Sequence, residues 1–142
     1  MKIGVFGNRD SWYVNELTRV GEARGHCMHP LLFETFRCVI GSGGTDWFCD
    51  DVRLNELDAV LVRTMPLVTL EQVVARMDLL GGLQSAGVRV INPPRSLECA
   101  VDKYLTTQRL AADGLPVPRT IVCETAESAL TAFESLGGDI VV

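Results

Sequence analysis

Anionic ligands such as phosphates and carboxylates need cations, and of the two residue types that supply them lysine is scarce in this sequence. Of its 13 basic residues only Lys2 and Lys103 are lysines, the flexible point charges that suit phosphate. Lys103 follows Asp102 and either binds an anionic ligand or pairs with a nearby acid at the surface. Arg63 follows an apolar strand, where it either clamps a carboxylate or phosphate through two N–H groups or holds its loop by an ion pair.

Other patterns that carry chemistry are absent from the sequence. The glycines near the N-terminus do not form the Gly-x-Gly-x-x-Gly dinucleotide motif, and no Walker phosphate loop occurs. His26 and His29 fall on a predicted strand, where they face opposite sides, so we expect no metal site there. Because the sequence has only these two histidines, we expect no Ser-His-Asp or Cys-His catalytic site. We therefore predict no catalytic and no metal-ligating residue.

Composition indicates a globular protein that can bury a core without metals or disulfides. The 142 residues are 47% hydrophobic and 22% charged. A net charge of −5 without a basic patch argues against a nucleic-acid partner. No apolar run approaches the ~20 residues that span a bilayer. Five widely spaced cysteines without a Cys-x-x-Cys pair predict reduced thiols and a cytoplasmic location.

Strands and helices alternate along the first 92 residues. Apolar strands are predicted over residues 2–6, 58–62 and 88–91, with one or two more between 27 and 40. Helices are predicted after residue 10 and after Thr69, which forms a capping box with Gln72. The expected buried stripe of the second helix is Leu70, Val73, Val74, Met77, Leu80 and Leu83.

This alternation predicts an α/β fold with a parallel sheet covered by helices on both faces. Ligands of such sheets bind at the carboxyl ends of the strands. Three segments fall there, over residues 7–10, 63–66 and 92–95. Residues 41–46 read as a loop, and residues 47–55 are not placed by the sequence.

The pattern changes after Pro94. One or two helices are predicted over residues 96–113, followed by a break over 114–118. A strand over 119–123, a helix capped by Thr125 and a strand over 139–142 complete the chain. Because the last predicted strand has no turn or cap after it, we expect the chain to be a fragment of a longer protein.

Taken in order, these motifs resemble the ATP-grasp carboxylate–amine ligases, and among them the RimK-type glutamate ligases. The resemblance rests on Leu57–Pro66, Asn92-Pro93-Pro94, Asp102-Lys103, Gly114–Pro118 and Ala132–Gly138. It implies a Rossmann-like pre-ATP-grasp domain over residues 1–94. It also implies the first strand–helix–strand of an ATP-grasp domain over 95–142, cut before the active site.

The resemblance also implies a reaction for the parent protein. ATP and Mg²⁺ would convert an acceptor carboxylate into an acyl phosphate, and the amine of glutamate would attack it to form an amide. By this resemblance Lys103 binds the ATP phosphates. Arg63, Asn8 and Arg9 are expected on the wall of the acceptor cleft. The implied acceptors are a ribosomal protein tail, a coenzyme or a carrier protein, and the enzyme is a possible homo-oligomer.

For the chain by itself we expect no ligase activity and no tight binding of Mg-ATP. The alternative is a complete, non-catalytic α/β module that binds a small ligand at the same strand ends.

Overall fold

A four-stranded parallel sheet organises the first part of the molecule. The computed structural model describes residues 1–141 and separates into two units, residues 1–97 and the residues from 98 onward. The sheet of the first unit contains β1 (Lys2–Phe6), β2 (Cys27–Leu31), β6 (Ala59–Val62) and β7 (Arg89–Ile91). Its order is β2-β1-β6-β7 with every pair parallel, which confirms the predicted α/β fold.

Two helices cover opposite faces of this sheet, as predicted. They are α1 (Trp12–Ala23) and α2 (Leu70–Ser85). Successive residues of a strand face opposite sides. Phe6 is fully buried in the core together with Leu79, Leu80 and Leu83 of α2. Val5, its neighbour in β1, instead lines an apolar cleft of about 260 Å³ beside Leu17 of α1.

The start of α2 is fixed by the capping box that the sequence predicts. The Thr69 hydroxyl accepts the Gln72 N–H at 3.4 Å, and the Gln72 side-chain oxygen accepts the Thr69 N–H at 3.2 Å. Two of the four donors that a helix N-terminus leaves free are satisfied in this way.

The predicted buried stripe of α2 is wrong in part. Leu70 and Val74 are 75% and 51% exposed. Leu80 and Leu83 are buried as predicted, together with Arg76 and Leu79, which the prediction did not include. Arg76 donates from this side of the helix to the carbonyl of Pro66.

A β-hairpin replaces the loop that was expected over residues 41–46. The strands β3 (Phe36–Gly41), β4 (Gly44–Cys49) and β5 (Val52–Arg53) form an antiparallel sheet, which also accounts for most of the unplaced residues 47–55. Gly41 pairs with Gly44, so the turn between β3 and β4 consists of two residues. Gly44 has φ 121°, a conformation that favours glycine. A glycine-rich composition therefore marked a tight turn and not a long loop.

The side chain of Asn55 extends the pairing of β4 beyond the short β5. Its Oδ1 accepts the Trp47 N–H at 2.9 Å, and its Nδ2 donates to the Thr45 carbonyl at 2.9 Å. One amide thus satisfies a donor and an acceptor that would otherwise face a missing strand.

The second unit consists of helices and extended segments. α3 (Pro94–Val101) crosses the boundary between the units, and α4 (Lys103–Ala112) and α5 (Ala126–Ser135) follow. As predicted, Thr125 caps α5 by accepting the Ser128 N–H at 3.2 Å. None of the described residues from 98 to 141 is completely buried. This unit therefore gains little stability from a core of its own.

Residues 119–123 and 139–141 do not form the predicted strands. Neither segment belongs to a sheet, because no strand of the described chain pairs with it. The last residue of the second predicted strand, Val142, lies outside the described residues. The two segments and α5 border an open groove of about 820 Å³, whose lining includes Ile121, Phe133 and Ile140.

We predict opposite effects of alanine at two adjacent glycines of α2. A Cβ at Gly82 would lie 2.5 Å from Cζ2 of Trp47, whereas a Cβ at Gly81 meets no atom within 4 Å. Gly82→Ala should lower the free energy of unfolding by about 1–3 kcal/mol. Gly81→Ala should raise it by about 0.5–1 kcal/mol, since alanine favours the helix. Urea denaturation measures both, and equal effects would contradict the packing of Trp47 on α2.

A second prediction concerns Cys49, which is 1% exposed. Burial raises the pKa of its thiol from 9.0 to about 12. Between these values the unfolded chain loses the proton and the folded chain keeps it. The free energy of unfolding should therefore fall as pH rises from 9, by up to about 1.4 kcal/mol per pH unit. Urea denaturation from pH 8 to 11 should show a steeper fall for the native protein than for Cys49→Ala. Parallel dependence of the free energy of unfolding on pH in the two proteins would contradict the raised pKa of Cys49.

Candidate functional site at the carboxyl edge of the sheet

The ends of three neighbouring strands are joined by backbone hydrogen bonds. The Phe6 carbonyl, at the end of β1, accepts the N–H groups of Arg63 at 2.9 Å and Thr64 at 3.3 Å. The Gly7 N–H donates to the carbonyl of Leu31, at the end of β2, at 3.2 Å. These bonds fix the backbone of Arg63 directly beside the turn that follows β1.

That turn carries Asn8 and Arg9, both exposed at the edge of the sheet. Asp10 adopts φ 60°, and the Ser11 N–H donates to the Asn8 carbonyl at 3.2 Å, so that α1 begins at once. Gly7 lies so close to Val14 that a Cβ would collide with its side chain. The close approach brings the first turn of α1 over the strand ends.

The guanidinium of Arg63 lies on the ring of Tyr13, in this first turn of α1. Its Cζ is 4.0 Å from the ring centroid, within the range of a cation–π contact. Both residues are exposed. Among residues 1–141 no acidic side chain forms an ion pair with Arg63. The structure thus places Asn8, Arg9 and Arg63 at one edge, where they present two guanidinium groups and an amide to solvent.

Arg76 is a further residue of this region that the sequence analysis missed. It is 4% exposed and donates from Nη1 to the Pro66 carbonyl at 2.9 Å. Its Cζ lies 4.9 Å from the ring centroid of Phe33, which stacks on Phe6. Arg76 therefore anchors the segment from Arg63 to Pro66 to the core. Arg76 falls at helical spacing among the apolar residues of α2, and this position is the sequence signal that could have identified it.

Lys103 lies in the second unit, as the first residue of α4. It is exposed, and its ammonium donates to the Ala100 carbonyl at 3.3 Å. Asp102 caps the same helix by accepting the Leu105 N–H at 3.0 Å, so its role is structural. The ammonium thus contacts the last turn of α3, next to the residue that caps α4.

Two other properties bear on function. Residues 1–141 contain no group of three His, Cys, Asp or Glu side chains arranged to hold a metal ion. Within the same residues, no helix combines the length and the apolar character needed to cross a bilayer.

Comparison with known proteins identifies related ligases, although no protein-family model matches the chain. The tetrahydromethanopterin:alpha-L-glutamate ligase of Methanosarcina acetivorans is 36% identical over 91 residues, or 64% of this chain and 28% of that protein. The glutamate–LysW ligase ArgX of Sulfolobus acidocaldarius is 38% identical over 55 residues, or 39% of this chain and 20% of that protein.

Solved structures share the fold. The RimK domain ATP-grasp protein of Sphaerobacter thermophilus superposes with a TM-score of 0.73 and 21% identity, over 96% of this chain and 46% of that one. The expected resemblance to ATP-grasp ligases is confirmed. The chain spans less than a third of each curated relative described above and about half of the solved chain.

Replacing Arg76 tests its role as an anchor. Arg76→Met keeps an apolar stem but leaves the Pro66 carbonyl without its charged donor, so we expect a loss of about 1.5–3 kcal/mol in the free energy of unfolding. Arg19→Met is the control, because Arg19 is exposed and pairs with Glu16 on the surface of α1. That control should change stability by less than about 0.5 kcal/mol. A neutral or stabilising Arg76→Met in urea denaturation would refute the anchor.

Proposed function

We propose that this chain, which is related to the ATP-grasp ligases of the RimK type, forms the N-terminal part of an ATP-dependent carboxylate–amine ligase. The observation that carries the proposal is its 36% identity to a glutamate ligase over 91 residues. The likeness of its fold to about half of a RimK domain ATP-grasp protein supports it. The activity, substrates and partners of the whole protein belong to the proposal.

In the proposed reaction a carboxylate oxygen of the acceptor attacks the terminal phosphorus of ATP. The bond from that phosphorus to the bridging oxygen breaks, ADP leaves with the electron pair, and an acyl phosphate forms. The amine of glutamate then attacks the carbonyl carbon. Phosphate leaves, and the nitrogen loses a proton to give the amide. Mg²⁺ supplies charge neutralisation in such phosphoryl transfers, but we assign no ligand for it among the described residues.

The residues of this chain bind and orient substrates in this scheme. Lys103, at the start of α4, provides a point charge for the ATP phosphates. Arg63 and Arg9 provide guanidinium groups for the acceptor carboxylate, with the Asn8 amide beside them.

The acceptor in the proposed reaction belongs to one of three classes of molecule. One relative is named for tetrahydromethanopterin and another for LysW, so the acceptors of related ligases differ. A coenzyme, a carrier protein and a ribosomal protein tail each carry the required carboxylate, and the amine is that of glutamate.

The role of Lys103 is tested against the other lysine of the chain. Lys2 forms a surface ion pair with Glu56 at 3.5 Å and makes a matched control. In the complete gene product, ADP release is measured with ATP, glutamate and each class of acceptor. Lys103→Ala should raise the KM for ATP by at least about tenfold, the loss of about 1.4 kcal/mol of binding. Lys2→Ala should leave this KM unchanged.

Two results would count against the proposal. Equal effects of the two lysine substitutions on the KM for ATP would contradict the assignment of Lys103 to the phosphate site. No glutamate-dependent ADP release from the complete gene product with any acceptor would favour the non-catalytic binding module. The 142-residue chain alone should release no ADP.

A further inference from the structure

Tyr13 supports the guanidinium of Arg63 at the edge of the sheet. The stack measures 4.0 Å from Cζ to the ring centroid. Tyr13 is held in place because α1 starts directly after the turn, with the Ser11 N–H on the Asn8 carbonyl and Gly7 against Val14. The backbone of Arg63 is held from the other side by the Phe6 carbonyl.

The stack leaves Arg63 able to bind an anion. The Cζ of Arg63 lies over the face of the Tyr13 ring, whereas a carboxylate binds in the guanidinium plane through its N–H groups. The two contacts therefore do not compete. Among the described residues, no acidic partner pairs with these N–H groups.

The ring of Tyr13 is itself oriented by a neighbour. Trp12 meets it edge to face, with ring centroids 5.2 Å apart and an interplanar angle of 76°. Tyr13 is 52% exposed and Trp12 is 69% exposed, so neither ring is a core residue of the fold. Core packing therefore does not explain why the two rings lie together beside a surface arginine.

We propose that Tyr13 is a positioning residue, which holds the N–H edge of Arg63 toward the carboxylate of the acceptor. The inference rests on the proposed function, because it deepens the role of the same site. An arginine side chain loses rotamer freedom when it binds a ligand. Stacking on Tyr13 restricts that freedom before the ligand arrives, so the acceptor binds more tightly. The chemical step and ATP binding do not depend on the stack.

Steady-state kinetics of the complete enzyme test this inference. Tyr13→Leu removes the aromatic face and should raise the KM for the acceptor about two- to fivefold, the range of an exposed cation–π contact. The kcat and the KM for ATP should stay within about twofold of the native values, since the stack acts on acceptor binding alone. Tyr13→Phe keeps the ring and should behave as the native enzyme. A rise in the KM for ATP would overturn the inference. So would an equal rise in the KM for the acceptor in Tyr13→Phe and Tyr13→Leu.

A double-mutant cycle separates positioning from general packing. Arg63→Ala should itself raise the KM for the acceptor, and Tyr13→Leu should add nothing in that background. Phe48→Leu is the matched control, because the Phe48 ring makes the same kind of contact with a different arginine, with the Cζ of Arg37 4.7 Å from its centroid. It should leave the KM for the acceptor unchanged. Additive effects of the Arg63 and Tyr13 substitutions would also overturn the inference.

A binding measurement distinguishes failure of this inference from failure of the proposed function. If the complete native protein releases no ADP with any acceptor, the proposed function fails. The positioning role is then judged by titrating the 142-residue chain with glutarate and following Arg63 and Tyr13 by NMR. Weaker binding by Tyr13→Leu than by Tyr13→Phe supports it. No binding by the native chain, or equal binding by both variants, overturns it.

Discussion

The end of β1 is the constraint on which the first unit depends. One carbonyl, that of Phe6, accepts N–H groups from both Arg63 and Thr64. The next residue, Gly7, has no room for a side chain because Val14 packs against it. The strand therefore has to turn at once into α1, and β6 has to end beside it. A parallel sheet whose strands end together leaves the following segments at one edge, where ligands of such folds bind.

Arg76 and Arg63 both contact an aromatic ring, but one is buried and the other is exposed. Arg76 is 4% exposed, donates to the Pro66 carbonyl and lies on Phe33, so its charge holds backbone and aromatic core together. Arg63 also lies on an aromatic ring but at the surface, where its hydrogen-bond donors face solvent. Burying a guanidinium is costly unless it is bonded, which explains why Arg76 has a carbonyl partner.

Most of the parallel sheet and its helices could be predicted from the sequence, because β1 and β6 are apolar runs and α2 begins with a capping box. The Thr69–Gln72 capping box and the parallel order of strands follow from local patterns. The hairpin could not be predicted from composition, since Gly41–Gly44 fits both a loop and a tight turn. Nor could the bond of Arg76 to Pro66 or the stack of Tyr13 on Arg63, which depend on tertiary placement. The unpaired segments of the second unit show the same limit, because a strand needs a partner as well as a propensity.

The chain has two tryptophans, and the fold places them in different environments. Trp47 is partly buried and packs on α2 at Gly82, while Trp12 is 69% exposed with its ring against Tyr13. Their fluorescence therefore has two sources, one that follows the packing of the hairpin and one that follows the edge of the sheet. In a chain with Trp47→Phe, the remaining indole is a built-in optical reporter one residue from the Tyr13–Arg63 stack. Occupation of that edge then becomes visible in real time without an attached dye.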